Sequence, residues 1–239
     1  MNDGTYITWK KWNAKEFASL GPGERFYYRQ VLRCKSKKKH KVLEIGFGNG
    51  TLLRYFKNID YEVIGVEINK ALVEKALSTG FRAYNGFVWD ISELKCEKFD
   101  LIVGLDVAEH MSQDELNKLF VWAKNHMNKE ARLCLRFPEG GSPLGLVNQN
   151  GDFTHVSSLT VQKINWLCSN NNMVLYSYSD DLLSSNKLCS FGITGTSILI
   201  ILQMHSKILR ILMKFILYPL CPALRLSLNS IAVITKNEE

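Results

Sequence analysis

The stretch 41–51 constrains the fold most. Its first residues, KVLEI, are an apolar run cut short by Gly46-Phe47-Gly48-Asn49-Gly50, with glycine at every second position. A short apolar run bounded by turn residues reads as a buried strand. Glycines let the chain reverse tightly and bring backbone close to a ligand with no side chain in the way. Thr51–Asn58 then reads as a helix whose first N–H groups face the same place. The rest of the chain repeats this alternation. Residues 61–68 (YEVIGVEI) form a second strand and Lys70–Ser78 a second helix, stopped by Gly80. Residues 82–88, 99–107, 131–137, 173–179 and 230–236 read as further strands. Residues 114–128, with Leu116, Leu119, Phe120 and Ala123 on one face, and 160–170 read as helices. Strands alternating with helices predict an α/β, doubly wound fold around a mainly parallel sheet. Ligands in such sheets bind beyond the carboxyl ends of the strands.

The glycine turn has two readings. A dinucleotide site needs G-x-G-x-x-G. Gly46 and Gly48 fit that pattern, but Thr51 stands where the third glycine belongs, and Glu44 before the turn is foreign to it. A turn that binds nothing is the plain structural alternative. Glu67 ends the second strand, where a carboxylate can accept hydrogen bonds from both ribose hydroxyls of a nucleoside. Strand-end acids are common, and it is the pairing with the glycine turn that makes this one specific.

Together, EIGFGNG followed by VIGVE resembles the first two motifs of class I methyltransferases that use S-adenosylmethionine (SAM). The resemblance covers residues 41–179 and implies a seven-stranded Rossmann-like sheet. It implies that Glu44 orients the methionine part of SAM, that Gly46, Gly48 and Gly50 face the cofactor, and that Glu67 holds the ribose. Asp90, in Trp89-Asp90-Ile91, matches the position that contacts the adenine amine. FDLIVGLDVAEHM resembles the fourth-strand motif and its turn, which sets Asp106, Glu109 and His110 near the methyl group. A narrower resemblance is to bacterial methyltransferases of O-antigen and exopolysaccharide clusters. It rests on Trp9, Trp12, Pro22-Gly23-Glu24, Tyr27-Tyr28, the VLEIGFGNG spelling and Gly151-Asp152-Phe153-Thr154-His155. It implies a sugar acceptor carried by a nucleotide or a lipid.

Methyl transfer is an in-line displacement at a sulfonium carbon, so the protein must align the acceptor and, for a hydroxyl, remove its proton. Neutral histidine suits that task. His110 and His155 are the candidates, with Asp152 orienting His155 or acting as the base itself. Their plain alternatives are a helix-start histidine bonded to backbone and a loop-fixing segment at 152–155. The six cysteines make no C-x-x-C pair, and neither they nor the acidic residues suggest a metal-ligand set by spacing. The Asn/Asp-Pro-Pro-aromatic motif of amino-group methyltransferases is absent after the fourth strand. An oxygen or small-molecule acceptor is therefore expected, and nucleic acid is not.

Four segments are expected: an aromatic-rich lead-in at 1–40, the SAM-binding core at 41–179, an apolar helical insertion at 180–229, and the last strand with its tail at 230–239. The start of the chain lacks the apolar core of a secretory signal, so a cytoplasmic protein with free thiols is expected. The formal net charge is +7, which suits an anionic partner. One basic run, 33–41, reads most simply as a solvated loop. At helical spacing Gln203, Lys207, Arg210 and Lys214 share one stripe of an otherwise apolar segment. Charges interrupt it too often for a membrane span. It fits a helix lying in an anionic membrane surface, on the inner face of the cell membrane, or else one packed on the domain or in an oligomer interface. The leading expectation is a methyltransferase acting on a sugar or lipid-linked glycan precursor. The alternatives are a membrane-soluble small-molecule acceptor, such as a quinone precursor, and a SAM-fold subunit without catalysis.

Overall fold

The computed structural model describes residues 17–32, 40–181, 208 and 225–237. Seven strands form one sheet: β1 (Lys41–Ile45), β2 (Glu62–Glu67), β3 (Arg82–Asn85), β4 (Phe99–Leu105), β5 (Met127–Pro138), β6 (Met173–Asp180) and β7 (Asn229–Lys236). Their order is β3-β2-β1-β4-β5-β7-β6. Neighbours from β3 to β5 run parallel, and β7 runs antiparallel between β5 and β6. The helices are α1 (Pro22–Leu32), α2 (Thr51–Asn58), α3 (Lys70–Ser78), α4 (Gln113–His126), α5 (Gly145–Asn150) and α6 (Val161–Asn170). The order reverses at β1, between β2 and β4, which is where such sheets open a crevice for a ligand.

Alternation along the central strands sorts side chains into two layers. Val42, Leu101 and Val103 face α1 and α2, packing with Leu32, Leu52, Tyr55 and Phe56. Leu43, Ile45, Ile64, Val66 and Ile102 face the other way and pack with Leu116, Phe120, Ile164 and Leu167 of α4 and α6. Each such side chain, fully buried, contributes about 1.5–3 kcal/mol. Helix starts are fixed by local chemistry. The Asn69 side chain accepts from Leu72 N at 3.3 Å, and Ser112 with Glu115 closes a reciprocal capping box on α4. Such caps contribute about 1 kcal/mol each.

The expected strands and helices are present, with shifted ends. β5 begins at Met127, directly after α4, although residues 128–130 are exposed and polar. Its pairing with β4 shifts register between Phe99 and Leu101. β3 stops at Asn85 rather than 88. Helix α5 is additional to expectation. Of the lead-in, residues 17–32 pack on the core, while Trp9 and Trp12 lie outside the described residues. The basic run 33–39 and the stripe residues Gln203, Lys207, Arg210 and Lys214 lie outside them as well. Among the described residues no helix is long and apolar enough to cross a membrane.

Candidate active site

The β1–α2 turn is built by its glycines. Gly46, Gly48 and Gly50 take φ of +65°, +50° and +74°. At Gly46 a Cβ would lie 2.4 Å from Val107 Cγ2, and at Gly50 it would lie 2.6 Å from the Phe17 ring. The turn is thus held from two sides, by the segment after β4 and by the lead-in, where Ala18 N donates to Asn49 O at 2.7 Å. Phe47 points away into the core, lying against Gly65 of β2. Glu67 ends β2 and fixes the turn: its Oε2 accepts from Gly48 N at 3.1 Å and its Oε1 from Asn69 N at 3.1 Å. A carboxylate oxygen has more than one lone pair, so Glu67 can still accept from ligand hydroxyls.

Glu44 lies at the end of β1, 5% exposed, and its Oε2 has no hydrogen-bond donor among the described residues. Burial, and then the charge of Glu67, push its carboxyl well above the usual range. A buried acceptor left without a donor is costly; here it fits a ligand that brings N–H groups. Tyr28 of α1 is close enough that Glu44, after burial itself, raises its phenol pKa. Asp90 lies exposed in the loop beyond β3, its N–H on Phe87 O at 3.0 Å, next to Phe87 and Trp89 stacked at 4.8 Å.

Asp106 follows β4 with φ of +56°. It is engaged at both oxygens by the guanidinium of Arg136 on β5, with Nε donating to Oδ1 at 2.9 Å and Nη2 donating to Oδ2. Arg136 Nη1 also donates to Tyr27 OH at 2.6 Å, and Tyr27 donates to Asp181 at 2.8 Å. Burial opposes the Arg136 charge, but Asp106, Tyr27 and Asp181 hold its pKa well above the usual value. This network joins α1, β4, β5 and the end of β6 around one fixed charge. A second hub is Glu139, 0% exposed just past β5. It accepts from Tyr178 OH and Ser230 Oγ, each at 2.6 Å, and from Gly141 N at 3.0 Å, and it pairs with Arg225 at 3.3 Å. Sequence reading found neither hub. Arg136 and Glu139 stand alone in a strand and a loop, and their partners are far away along the chain.

The three acid–base candidates come together. His110 ends the short helical turn Ala108–His110 after β4, and His155 lies in the loop after α5, with ring centroids 4.6 Å apart. Asp152 Oδ2 is 3.6 Å from His155 Nε2, and Glu109 Oε1 is 3.9 Å from the same nitrogen. Backbone joins the two segments: Val156 N and Ser157 N both donate to Glu109 O at 2.9 Å, and Ser157 Oγ donates to Met111 O at 2.6 Å. The cluster is coupled to the glycine turn through Val107, two residues before Glu109, whose side chain lies on Gly46. Glu109, placed near the methyl group by motif alone, is a buried member of it.

The comparisons with known proteins bear on the family and the fold. A family model described as "Methyltransferase domain" matches residues 21–178. No curated protein matches the chain in sequence. Among solved structures, a SAM-dependent methyltransferase from Archaeoglobus fulgidus superposes with TM-score 0.63 at 16% identity, covering 97% of this chain and 99% of that one. A TehB-like SAM-dependent methyltransferase from Corynebacterium glutamicum gives 0.59 at 14%, covering 98% and 97%. An O-methyltransferase of a Brevibacillus brevis trans-AT PKS multienzyme, in complex with S-adenosylhomocysteine, gives 0.54 at 19%, covering 98% and 79%. At these identities the likeness shows the fold. SAM fits the residues present: Glu44, whose Oε2 is buried without a donor among the described residues, would take its amino end, the glycine turn would leave room for it, and Glu67 would offer acceptors to its ribose. When bound, SAM supplies a methyl group already activated by its sulfonium charge. With the family model covering most of the chain and the sheet order matching the fold, the chain belongs to the methyltransferase-domain family and is a SAM-dependent methyltransferase.

Proposed function

We propose that the enzyme methylates a hydroxyl oxygen, on a sugar or lipid-linked glycan precursor presented at an anionic membrane surface. One observation carries the oxygen acceptor: His110, His155 and Asp152 converge beside the segment that packs on the glycine turn. A hydroxyl needs its proton removed as it attacks, and a histidine backed by a carboxylate is suited to receive it. Asp152 is well set to orient the loop, since its Oδ1 accepts from Thr154 N at 2.9 Å and from Thr154 Oγ1 at 2.6 Å. The sugar acceptor is supported by the resemblance of the segment 151–155 and the lead-in to polysaccharide-cluster methyltransferases. A lipid carrier is supported by exposed apolar side chains near His155 along the chain: Phe153 is fully exposed and Val156 is 65% exposed. The same side chains would suit an apolar small molecule such as a quinone precursor, so the product must decide between them.

The test is transfer from isotopically labelled SAM to a cell membrane extract, with the labelled product identified. The expected product carries an O-methyl group on a sugar. His110→Ala and His155→Ala are expected to lower turnover by about 10²–10⁴-fold with SAM affinity retained. A methyl group found on nitrogen or carbon, or wild-type turnover in both variants, overturns the reading.

A further inference from the structure

The geometry points to a binding site for one divalent transition-metal cation formed by Glu109, His110 and His155. One ligand atom from each of the three lies within 4.8 Å of the other two. Ligands at about 2.0–2.2 Å from a common ion stand roughly 3–4 Å apart. The pair His155 Nε2 and Glu109 Oε1, at 3.9 Å, already does so, and the remaining closure is a side-chain adjustment.

The hydrogen bonds choose the ligand nitrogens. His155 Nδ1 is 3.1 Å from the Gln149 carbonyl, which can only accept, so Nδ1 carries the proton and Nε2 presents its lone pair. That lone pair looks toward Glu109 Oε1 at 3.9 Å and Asp152 Oδ2 at 3.6 Å. An ion placed among these atoms would be within reach of all three. His110 follows the same rule. Its Nδ1 lies 3.1 Å from the Thr154 carbonyl and 2.9 Å from Thr154 Oγ1, whose own proton goes to Asp152 Oδ1 at 2.6 Å. Both neighbours accept, so Nδ1 carries the proton here too, and Nε2 would be the ligand nitrogen. Imidazoles that give one N–H to a carbonyl or a hydrogen-bonded hydroxyl, and the other nitrogen to the ion, are the usual arrangement of metal sites. Glu109 is 1% exposed, and its backbone carbonyl is held by the two amides of Val156 and Ser157. The ligands therefore stand on two segments already tied together.

Two imidazoles and one carboxylate select zinc, iron, cobalt or manganese rather than calcium or magnesium. Asp152 would stand beside the ion, orienting His155 or giving a further ligand. Spacing along the chain hides the set, because His155 lies 45 positions beyond His110 and only the fold closes the gap. The ion's use, to bind the acceptor oxygen and make its proton easier to remove, with the histidines then serving as its ligands in place of taking the proton themselves, rests on the hydroxyl-acceptor reading. Its binding does not.

The test is titration of tag-free, chelator-treated protein with Co²⁺ and with Zn²⁺, without SAM or acceptor. Calorimetry and the visible absorption of bound Co²⁺ report the result. One ion per chain is expected, with Zn²⁺ displacing Co²⁺. His155→Gln and Glu109→Gln should each weaken binding by about 100-fold or more. Circular dichroism and SAM titration on the same samples verify that the variants fold. Absence of saturable binding by the wild type, or equal binding by folded variants, overturns the site; the histidine cluster is then a proton-transfer pair only. If the ion binds and the labelled product carries its methyl group on nitrogen or carbon, the metal site stands and the hydroxyl reading falls.

Discussion

Glu44, with Oε2 buried and lacking a donor among the described residues, makes a prediction at the scale of one residue. Its pKa is raised by burial and by Glu67. The sign follows from linkage. An acid whose folded pKa is raised holds its proton in the free protein at pH values where the unfolded chain has lost it. Ionising it costs stability as pH rises from the unfolded pKa to the folded one. A ligand amino group placed against it reverses the preference and drives the proton off. SAM binding should therefore release a proton at pH values below the raised pKa, and affinity should rise with pH up to that value and then level off. Calorimetry in buffers of different ionisation enthalpy measures the release. In Glu44→Gln it should vanish, and affinity should fall about ten- to a hundredfold, the loss of one charge-assisted hydrogen bond of roughly 1.5–3 kcal/mol. Proton uptake, or no buffer dependence in the wild type, would contradict the assignment of Glu44 to the amino end of SAM.

Among the elements, the β1–α2 turn and the segment after β4 fit each other through Gly46 and Val107. A Cβ at residue 46 meets Val107 Cγ2 at 2.4 Å, on backbone with φ of +65°. Gly46→Ala thus combines a left-handed penalty of about 1–2 kcal/mol with an overpacking cost of about 1–3 kcal/mol. The two parts separate in a double-mutant cycle. Val107→Ala should recover much of the overpacking in the Gly46→Ala background and leave the backbone part. Thermal melts read the sum as a fall in Tm of about 5–15 °C, at roughly 2–4 °C per kcal/mol for a chain of this size. If the two substitutions are additive, Val107 does not seat the turn.

The same elements show what the sequence makes legible. β1, β2 and β4 are buried on both faces over most of their length, so they read as short apolar runs, and the motifs that resemble cofactor motifs follow within a few residues. β5 starts at Met127, ahead of its apolar run, and because residues 128–130 are polar and exposed no apolar signal marks that start. Helix α5, GLVNQN, is too short to show a period. The acid–base residues could be named one by one, yet their meeting could not. Tyr27 and Asp181 are 154 positions apart and His110 and Thr154 are 44 apart. Contacts of that kind are set by the order of strands in the sheet, which brings the loops after β4 and β5 side by side.

For the whole molecule the open physical matter is how an enzyme with a formal net charge of +7 meets its acceptor. The segment 197–217 (SILIILQMHSKILRILMKFIL) sets Lys207, Arg210 and Lys214 against isoleucine, leucine, methionine and phenylalanine. Its stripe residues lie outside the described part of the chain, so sequence periodicity carries the expectation. A surface that apolar would invite aggregation if left in water. A lipid interface would cover it, and each cation near acidic lipid would contribute about 1 kcal/mol. Two forces then act with different responses to salt. The electrostatic part is screened as the Debye length shrinks, and the apolar part is not. Wild-type protein should therefore sediment with vesicles containing phosphatidylserine or phosphatidylglycerol, and only in part leave them at high salt. Replacing Lys207, Arg210 and Lys214 with glutamate should release most of the protein at low salt while SAM affinity stays unchanged, because the residues proposed to hold SAM, Glu44, the glycine turn and Glu67, belong to other segments of the chain. The opposing result is wild-type protein that stays in the supernatant with anionic vesicles at low salt. The apolar segment would then be covered by protein rather than lipid, and the acceptor would have to reach the histidine cluster from solution.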